Sequence, residues 1–320
     1  MRSPRPWRML WVTFAWGSCY LAISIGLQDA PVLWLAALRT LVAAAVLLTV
    51  AGVQRVARPR GQRTWLLVAV MGLVNVALAY GAMFSGIIGL STGAASVLAN
   101  AQPLLILFPA WLFFREAPTP PVLAAMLVGV IGLLLVAIPT GFGTGAWLAL
   151  TASLAVTAGT LISRIIDAEP LTVAAWQFVI GGVVLAVVAL AVEGIPQITW
   201  SPRFVVALLY MSVLGTAATN VAWITEARAA RLDQLTTWTL LVPVFGVILS
   251  TVVLREAQSV WAWIGTGVVV AALILLILTA GRPRSSDFGI QAPKLQLQKE
   301  TDIPSSPDGR IAGVLRRHGH

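Results

Sequence analysis

The chain carries one 18-residue pattern twice, as NAQPLLILFPAWLFFREA at positions 100–117 and as LLVPVFGVILSTVVLREA at positions 240–257. At a constant offset of 140 residues, Pro103 corresponds to Pro243, and the Arg-Glu-Ala triplet that ends each copy begins at Arg115 and at Arg255. Both copies are almost entirely apolar before the arginine, as expected for a helix in a lipid bilayer. The repeat indicates a fold of two related halves.

The composition of the whole chain also indicates a membrane protein. Of the 320 residues, 58% are hydrophobic and 10% are charged, whereas a soluble domain carries roughly 25% charged residues. So few charges do not cover a water-facing surface. The formal net charge of +9 does not indicate a nucleic-acid partner, because the basic residues lie between and beyond the apolar runs rather than on one soluble face.

Ten apolar segments approach the length of about 20 residues that crosses a bilayer. We predict spans at 9–27, 31–52, 65–88, 91–114, 121–139, 146–166, 170–192, 202–224, 232–254 and 259–280. The connections are short and rich in Pro and Gly, so neighbouring helices run antiparallel. The predicted fold is an all-α polytopic membrane protein with ten transmembrane helices.

The distribution of basic residues predicts the orientation. An even number of spans puts both termini on one side, and the four arginines between residues 55 and 63 mark that side as cytoplasmic. With the N terminus inside, eleven Lys or Arg residues before the tail are cytoplasmic, and only Arg203 and Arg255 are external. We therefore expect a multi-pass protein of the cell inner membrane, with both termini cytoplasmic.

The repeat divides the chain into residues 1–140 and 141–281, each with five predicted spans, followed by a disordered cytoplasmic tail at 282–320. Because five is odd, the second half enters the membrane from the opposite side. Inverted repeats of this kind are typical of secondary transporters, whose substrate site lies near the bilayer midplane between the halves.

Polar and kinked positions inside the spans are the first candidate site residues. Pro103 and Pro243 each remove a backbone donor near the middle of a span, so they are either matched hinges or bends that serve packing. Asn100 and Gln102 stand just before the first of these prolines. At that depth an amide faces either a ligand in a wet cavity or a partner on another helix.

Aromatic residues deep in the spans form a second group of candidates. Trp16 and Tyr20 lie one turn apart in span one, and Trp238 lies in span nine. We expect them either to form aromatic walls around an organic substrate or to pack in the core and against lipid. Tyr80 and Asn220 occupy matched positions in spans three and eight, which suggests a shared cavity wall.

Charged residues near the span ends are the third group. Arg39 lies about two turns inside span two, where it is either an anchor that snorkels to the external boundary or a counter-charge for an anionic group. The charged connection at 226–233 is predicted to be a solvated loop. Glu116 and Glu256 stand where the next helix begins, so each either stabilises the helix dipole or takes part in transport chemistry.

Several kinds of site are absent from the sequence. Cys19 is the only cysteine, and His318 and His320 in the tail are the only histidines, so we expect no metal site or cofactor within the membrane. There is no GxxxxGK[ST] motif and no lysine before Lys294, which excludes an ATP-binding P-loop. No reactive pair of residues lies within a span, so an enzyme is not expected.

The chain resembles the EamA-type members of the drug/metabolite transporter superfamily. The resemblance extends over residues 9 to 280 and is carried by these stretches: Trp16-Gly17-Ser18, Ala37-Leu38-Arg39, the run from Gly89 through Pro103 to Arg115-Glu116, and its counterpart through Pro243 to Arg255-Glu256. It implies a ten-helix bundle with a central cavity lined chiefly by spans one, three, four, six, eight and nine. It also implies export of amino acids, related metabolites or toxic compounds.

The function expected from these features is secondary transport, without ATP, of a small organic metabolite such as an amino acid. The expected partners are this small molecule and the lipid bilayer, with no nucleic acid. Alternating access of the two halves around a midplane site is the expected mechanism. The alternatives are a passive channel and a membrane scaffold that transports nothing.

Overall fold

The computed structural model describes residues 3–87, 96, 99–100, 102–115, 120–137, 143–255 and 259–280. All regular elements in these ranges are helices, which we number in chain order. They are α1 Pro6–Gly26, α2 Val32–Val53, α3 Gln62–Ile87, α4 Gln102–Leu105 with Leu107–Phe114, α5 Pro120–Ala137, α6 Thr144–Ile165, α7 Pro170–Glu193, α8 Pro202–Ala229, α9 Leu232–Val253 and α10 Val260–Ala280. The prediction of an all-helical protein is confirmed.

Seven of these helices are long and apolar enough to cross a membrane, namely α1, α2, α3, α6, α7, α8 and α9. Within α5 and α10 the segments Leu123–Gly132 and Trp263–Ala272 are shorter apolar helices. The chain is therefore a multi-pass membrane protein. Glu116, Glu256 and the tail at 282–320, for which we made predictions, lie outside the described residues.

Local sequence signals explain where several helices begin. Pro6, Pro170 and Pro202 stand in the first turn of α1, α7 and α8, where the missing backbone N–H of proline has no helical partner to lose. Ser201 caps α8, because its hydroxyl accepts the backbone N–H of Phe204 at 3.2 Å.

The repeat seen in the sequence corresponds to matched backbone features. Arg115 ends α4 and Arg255 follows α9, and both have a φ of 55° in the left-handed region, the conformation in which many helices end. A π-helical segment occurs in α3 at Gly72–Leu78 and again in α8 at Val213–Ala218. The helix pairs also match, since α1 packs on α8 and α9 while α6 packs on α3 and α4.

The ends of the bundle are held by ion pairs and hydrogen bonds. At the end that contains the N terminus, Arg8 donates to Glu226 at 2.9 Å. The carboxylate of Glu226 is fully buried, and so is Asp233, which Arg231 contacts at 2.9 Å. The prediction that residues 226–233 form a solvated loop is therefore wrong: α8 continues to Ala229, and the carboxylates of Glu226 and Asp233 are buried and each paired with an arginine.

Candidate functional site

A cavity of about 100 Å³ lies in the middle of the bundle, several times the roughly 10–15 Å³ that one water molecule requires. Its walls come from α1, α3, α4, α6, α8 and α9, and α2 also contributes through Arg39. Six of the seven predicted binding residues line it: Trp16, Tyr20, Tyr80, Asn100, Gln102 and Asn220. Helices from both copies of the repeat thus enclose one space.

An aromatic wall lines the cavity on the side of the N terminus. The rings of Trp16 and Trp223 lie 5.0 Å apart between centroids, within the range of favourable aromatic pairs. The indole N–H of Trp16 donates to the Thr219 hydroxyl at 3.0 Å, and that of Trp223 donates to the Thr160 hydroxyl at 3.2 Å. Each indole is therefore held in one orientation by a partner on another helix.

The two amides before Pro103 bind partners across the cavity wall. Asn100 donates to the Tyr20 hydroxyl at 3.3 Å, which connects α1 with the residues before α4. Gln102 is 3% exposed and donates to the Thr160 hydroxyl at 2.8 Å. The amides thus make the interhelical hydrogen bonds that we considered as one alternative, while both also line the cavity.

Arg39 does not snorkel to the boundary. Its side chain is buried, at 3% exposure, and lines the cavity. Nε donates to the Thr216 hydroxyl at 2.7 Å, and Nη2 contacts the carbonyl oxygen of Gly215 at 3.3 Å. The guanidinium carbon lies 5.1 Å from the centre of the Tyr80 ring, a distance at which a cation is attracted by the ring face.

Close packing of α8 on α1 brings these acceptors to Arg39. A Cβ atom at Gly215 would lie 2.0 Å from Sγ of Cys19, so only glycine fits there. The π-helical segment of α8 runs through the same residues, and the Thr216 hydroxyl donates to the Met211 carbonyl five residues earlier. The π-helical turn, often found at functional sites, thus holds the residues that position the guanidinium.

The equivalent place in the other half holds a neutral amide pair. Gln177 lies in α7 seven residues after Pro170, much as Arg39 lies in α2 eight residues after Pro31, and it accepts a hydrogen bond from Asn75 at 3.1 Å. Asn75 matches Gly215 at the offset of 140 and lies in the π-helical segment of α3. The two halves thus place a cation and an uncharged amide at corresponding positions.

Tyr80 and Asn220, which the offset of 140 relates, both line the cavity. Tyr80 packs edge-to-face on Phe178, with 6.0 Å between ring centroids, and Asn220 donates to the carbonyl of Thr216 at 3.1 Å. Trp238 is different, since it packs against the cluster around Met9 and is not among the described residues that line the cavity.

Each predicted hinge proline coincides with an interruption of its helix. In α9 a 3₁₀ turn at Trp238–Leu240 precedes Pro243, because the proline ring displaces the carbonyl four residues earlier and offers it no N–H. In α4, Pro103 lies in the short helix Gln102–Leu105. A turn at Ile106, three residues before Pro109, separates this helix from Leu107–Phe114.

Several residues that line the cavity were not predicted: Cys19, Asn75, Met83, Thr160 and Trp223. Trp223 was missed because span eight was predicted to end at residue 224, where the interfacial belt accounts for a tryptophan. At the offset of 140 it corresponds to Met83, which also lines the cavity, so the repeat relates two residues of the cavity wall. Among the described residues no group of three His, Cys, Asp or Glu side chains is placed to hold a metal ion.

At the opposite end of the bundle an ion pair joins the α1–α2 connection to α8. Arg203 donates to both carboxylate oxygens of Asp29, at 2.8 and 3.0 Å, and Ser201 donates at 2.8 Å. The Arg203 guanidinium, and after it the Ser201 hydroxyl, hold the pKa of Asp29 below its usual range. The pair therefore stays ionised at neutral pH.

Known proteins resemble this chain over most of its length. A probable terminal-alkyne amino-acid exporter of Streptantibioticus cattleyicolor is 26% identical over 296 residues, covering 89% of this chain and 97% of that protein. The uncharacterized transporter YvbV of Bacillus subtilis is 24% identical, covering 90% and 96%. A WAT1-related chloroplastic protein of Arabidopsis thaliana is 28% identical, covering 84% and 68%.

A solved crystal structure has the same fold, with a TM-score of 0.71 at 19% identity, covering 85% of this chain and 96% of the other. The sequence pattern of the EamA-like transporter family matches twice, at residues 7–138 and 143–278. These two matches coincide with the halves that carry the repeated proline and Arg-Glu-Ala triplet. The chain therefore belongs to the EamA-like transporter family.

Proposed function

We propose that this protein is a secondary transporter of the cell inner membrane that exports a small organic metabolite through the central cavity by alternating access. The observation that supports this most directly is the position of the cavity, which helices of both repeats enclose at the level of the interrupted helices α4 and α9. The relative named as an amino-acid exporter supports export and places amino acids among the first compounds to test.

We further propose a topology of ten transmembrane helices. They form two inverted halves, 1–140 and 141–281, and both termini lie in the cytoplasm. In support, matched helix pairs, π-helical segments and left-handed arginines recur in both halves. When the substrate site changes sides, each of the two inverted halves adopts the conformation that the other half had before. Pro103 and Pro243 are the proposed hinges of this exchange.

The binding residues proposed here are the six predicted residues that line the cavity, with Arg39 as charge partner. Indole and phenol faces suit an apolar part of a substrate, and amide and hydroxyl groups suit its polar part. Trp238 is left out of this set because it packs outside the described cavity wall.

Counterflow in proteoliposomes tests the proposal. Vesicles that contain purified protein are loaded with one unlabelled compound from a panel of amino acids, organic acids and amines, and uptake of the labelled compound is followed with and without a pH gradient. We expect a transient, saturable overshoot for one class, because a carrier exchanges substrate faster than it returns empty.

A passive channel would equilibrate the label without an overshoot, and a scaffold would leave the vesicles as tight as protein-free ones. Either result, with correctly folded protein in the vesicles, would refute the proposal. Circular dichroism and a cooperative thermal transition of the same preparation establish the folding.

A further inference from the structure

The guanidinium of Arg39 is a buried charge without a carboxylate partner among the described residues. It donates to the Thr216 hydroxyl and the Gly215 carbonyl, which are both neutral. The described residues that line the cavity include no Asp or Glu, and the described acidic residues lie near helix ends or in connections. A charge at this depth is costly unless it is paired or faces water.

One nitrogen of the same guanidinium remains unused. Nη1 of Arg39 is buried and has no hydrogen-bond partner among the described residues, although Nε and Nη2 are both engaged and hold the plane of the group in place. Buried donors are nearly always paired. The cavity beside Arg39 is where a partner would be found.

We infer that the cavity binds its substrate as an anion, through a carboxylate that accepts a hydrogen bond from Nη1 of Arg39. This inference rests on the proposed function and specifies the substrate class: organic acids with a net charge of −1 and an apolar, flat body. A zwitterion binds more weakly, because its ammonium meets only neutral acceptors, and a cation is repelled by the guanidinium.

The chemistry favours a carboxylate over a phosphate. A phosphate monoester carries close to two negative charges at neutral pH and presents three acceptor oxygens, whereas Arg39 is the one cation among the described residues of the cavity wall. The neutral pair of Asn75 and Gln177 at the equivalent place in the other half adds no second charge. One carboxylate neutralises the charge of Arg39, whereas a phosphate brings more negative charge than this one cation neutralises.

Three probes that share a phenyl group on a two-carbon chain and differ in charged groups test this inference: 3-phenylpropionate, phenylalanine and phenethylamine, an anion, a zwitterion and a cation at pH 7. Phenyl phosphate is the fourth probe. Binding is measured as the rise in melting temperature of the detergent-purified protein, and transport as competition with the counterflow substrate. We expect 3-phenylpropionate to bind most tightly and phenethylamine and phenyl phosphate most weakly.

Arg39→Gln should weaken the binding of 3-phenylpropionate about ten- to a hundredfold, the usual range for a lost hydrogen bond to a charged group, and should leave that of phenethylamine unchanged or stronger. Arg39→Lys keeps the charge without the planar geometry, so the order of the probes should persist with weaker binding. Arg203→Gln is the matched control: it removes an arginine outside the cavity and should not alter the order.

Failure of this inference is distinguishable from failure of the proposed function. If counterflow occurs but phenethylamine or phenylalanine binds as tightly as 3-phenylpropionate, or if Arg39→Gln affects all probes equally, the anion site is refuted and the transporter is not. If phenyl phosphate binds most tightly, the assignment to a carboxylate is overturned. If 3-phenylpropionate binds through Arg39 but no compound is exchanged, the site stands and the transport function fails.

Discussion

At the scale of single residues, Trp16 connects the cavity to the end of the bundle that holds the N terminus. Its ring packs on Trp223 and its N–H is fixed by Thr219, so the indole forms part of the wall that a substrate meets. Replacing Trp16 by a small residue therefore removes an apolar surface from the cavity wall.

We expect Trp16→Ala to raise the KM for counterflow about tenfold, as a lost aromatic contact of about 1 kcal/mol and the accompanying hydrogen bond imply. Trp16→Phe keeps the ring and should recover most of the affinity. Trp147→Ala, at a side chain that is 66% exposed, is the matched control and should retain the wild-type KM. An unchanged KM in Trp16→Ala would remove this residue from the site.

A second prediction at this scale concerns Asp29 and the dependence of stability on pH. Because its pKa is lowered in the folded protein, its ion pair with Arg203 stabilises the fold above the unfolded pKa of about 3.9 and ceases to do so as the pH falls through the lower, folded value. Asp29→Asn should therefore lower the melting temperature by a constant amount between about pH 8 and pH 5.

Below about pH 4 the two melting temperatures should converge. Melting curves of the wild type and the variant in detergent, recorded over this range, are the measurement. A difference that already disappears between pH 7 and pH 6 would show that another group titrates there and that the Asp29 pair is not its cause.

At the scale of helices, the interruptions in α4 and α9 are where we place the motion. Pro243 is buried behind the 3₁₀ turn Trp238–Leu240, next to Val242 of the cavity wall. A change at this turn therefore moves the wall without breaking the rest of α9.

Pro243→Ala supplies the missing N–H and should extend regular α-helix through the turn. We expect kcat for counterflow to fall several-fold while KM stays near its wild-type value, because motion rather than binding is altered; Pro103→Ala should behave in the same way. Pro170→Ala, at a proline in the first turn of α7 where no helical N–H is missing, is a control for the loss of a proline as such. A change confined to KM would contradict the hinge assignment.

The helices show how far the sequence could predict the structure. The seven long helices were predictable because apolar runs of this length have few alternatives in lipid, and the repeat matched Tyr80 with Asn220, which both line the cavity. The π-helical segments were not predictable from local sequence. They lie at close contacts between distant parts of the chain, such as the approach of Gly159 to Asn75, where an added Cβ would lie 2.4 Å from the asparagine. Partners such as Asn75 and Gln177 are 102 residues apart, and no local pattern pairs them.

At the scale of the whole molecule, the proposed topology has a direct test. Cys19 is the only cysteine and is buried, so the wild type serves as an almost unreactive background for single-cysteine variants. Arg58 and Trp200 lie in connections at opposite ends of the bundle, and both are exposed.

We expect an impermeant maleimide to label Trp200→Cys in intact cells and to label Arg58→Cys only after the membrane is opened, because the basic connection is cytoplasmic in the proposed orientation. The wild type is the control for background reaction at Cys19. Labelling of Arg58→Cys in intact cells would reverse the orientation, and equal labelling of both positions would contradict a single topology.

The unequal pair Arg39 and Gln177 has a consequence for how such a protein diversifies. Duplication of an ancestral five-helix segment supplies one scaffold twice, and afterwards each copy is free to mutate at the same place in the fold. A change at Arg39 alters the charge that the cavity offers to a ligand, while Gln177 continues to hold α7 on α3 through Asn75. Single substitutions in one half of such a chain can therefore change its substrate specificity, while the corresponding residues of the other half keep their structural contacts.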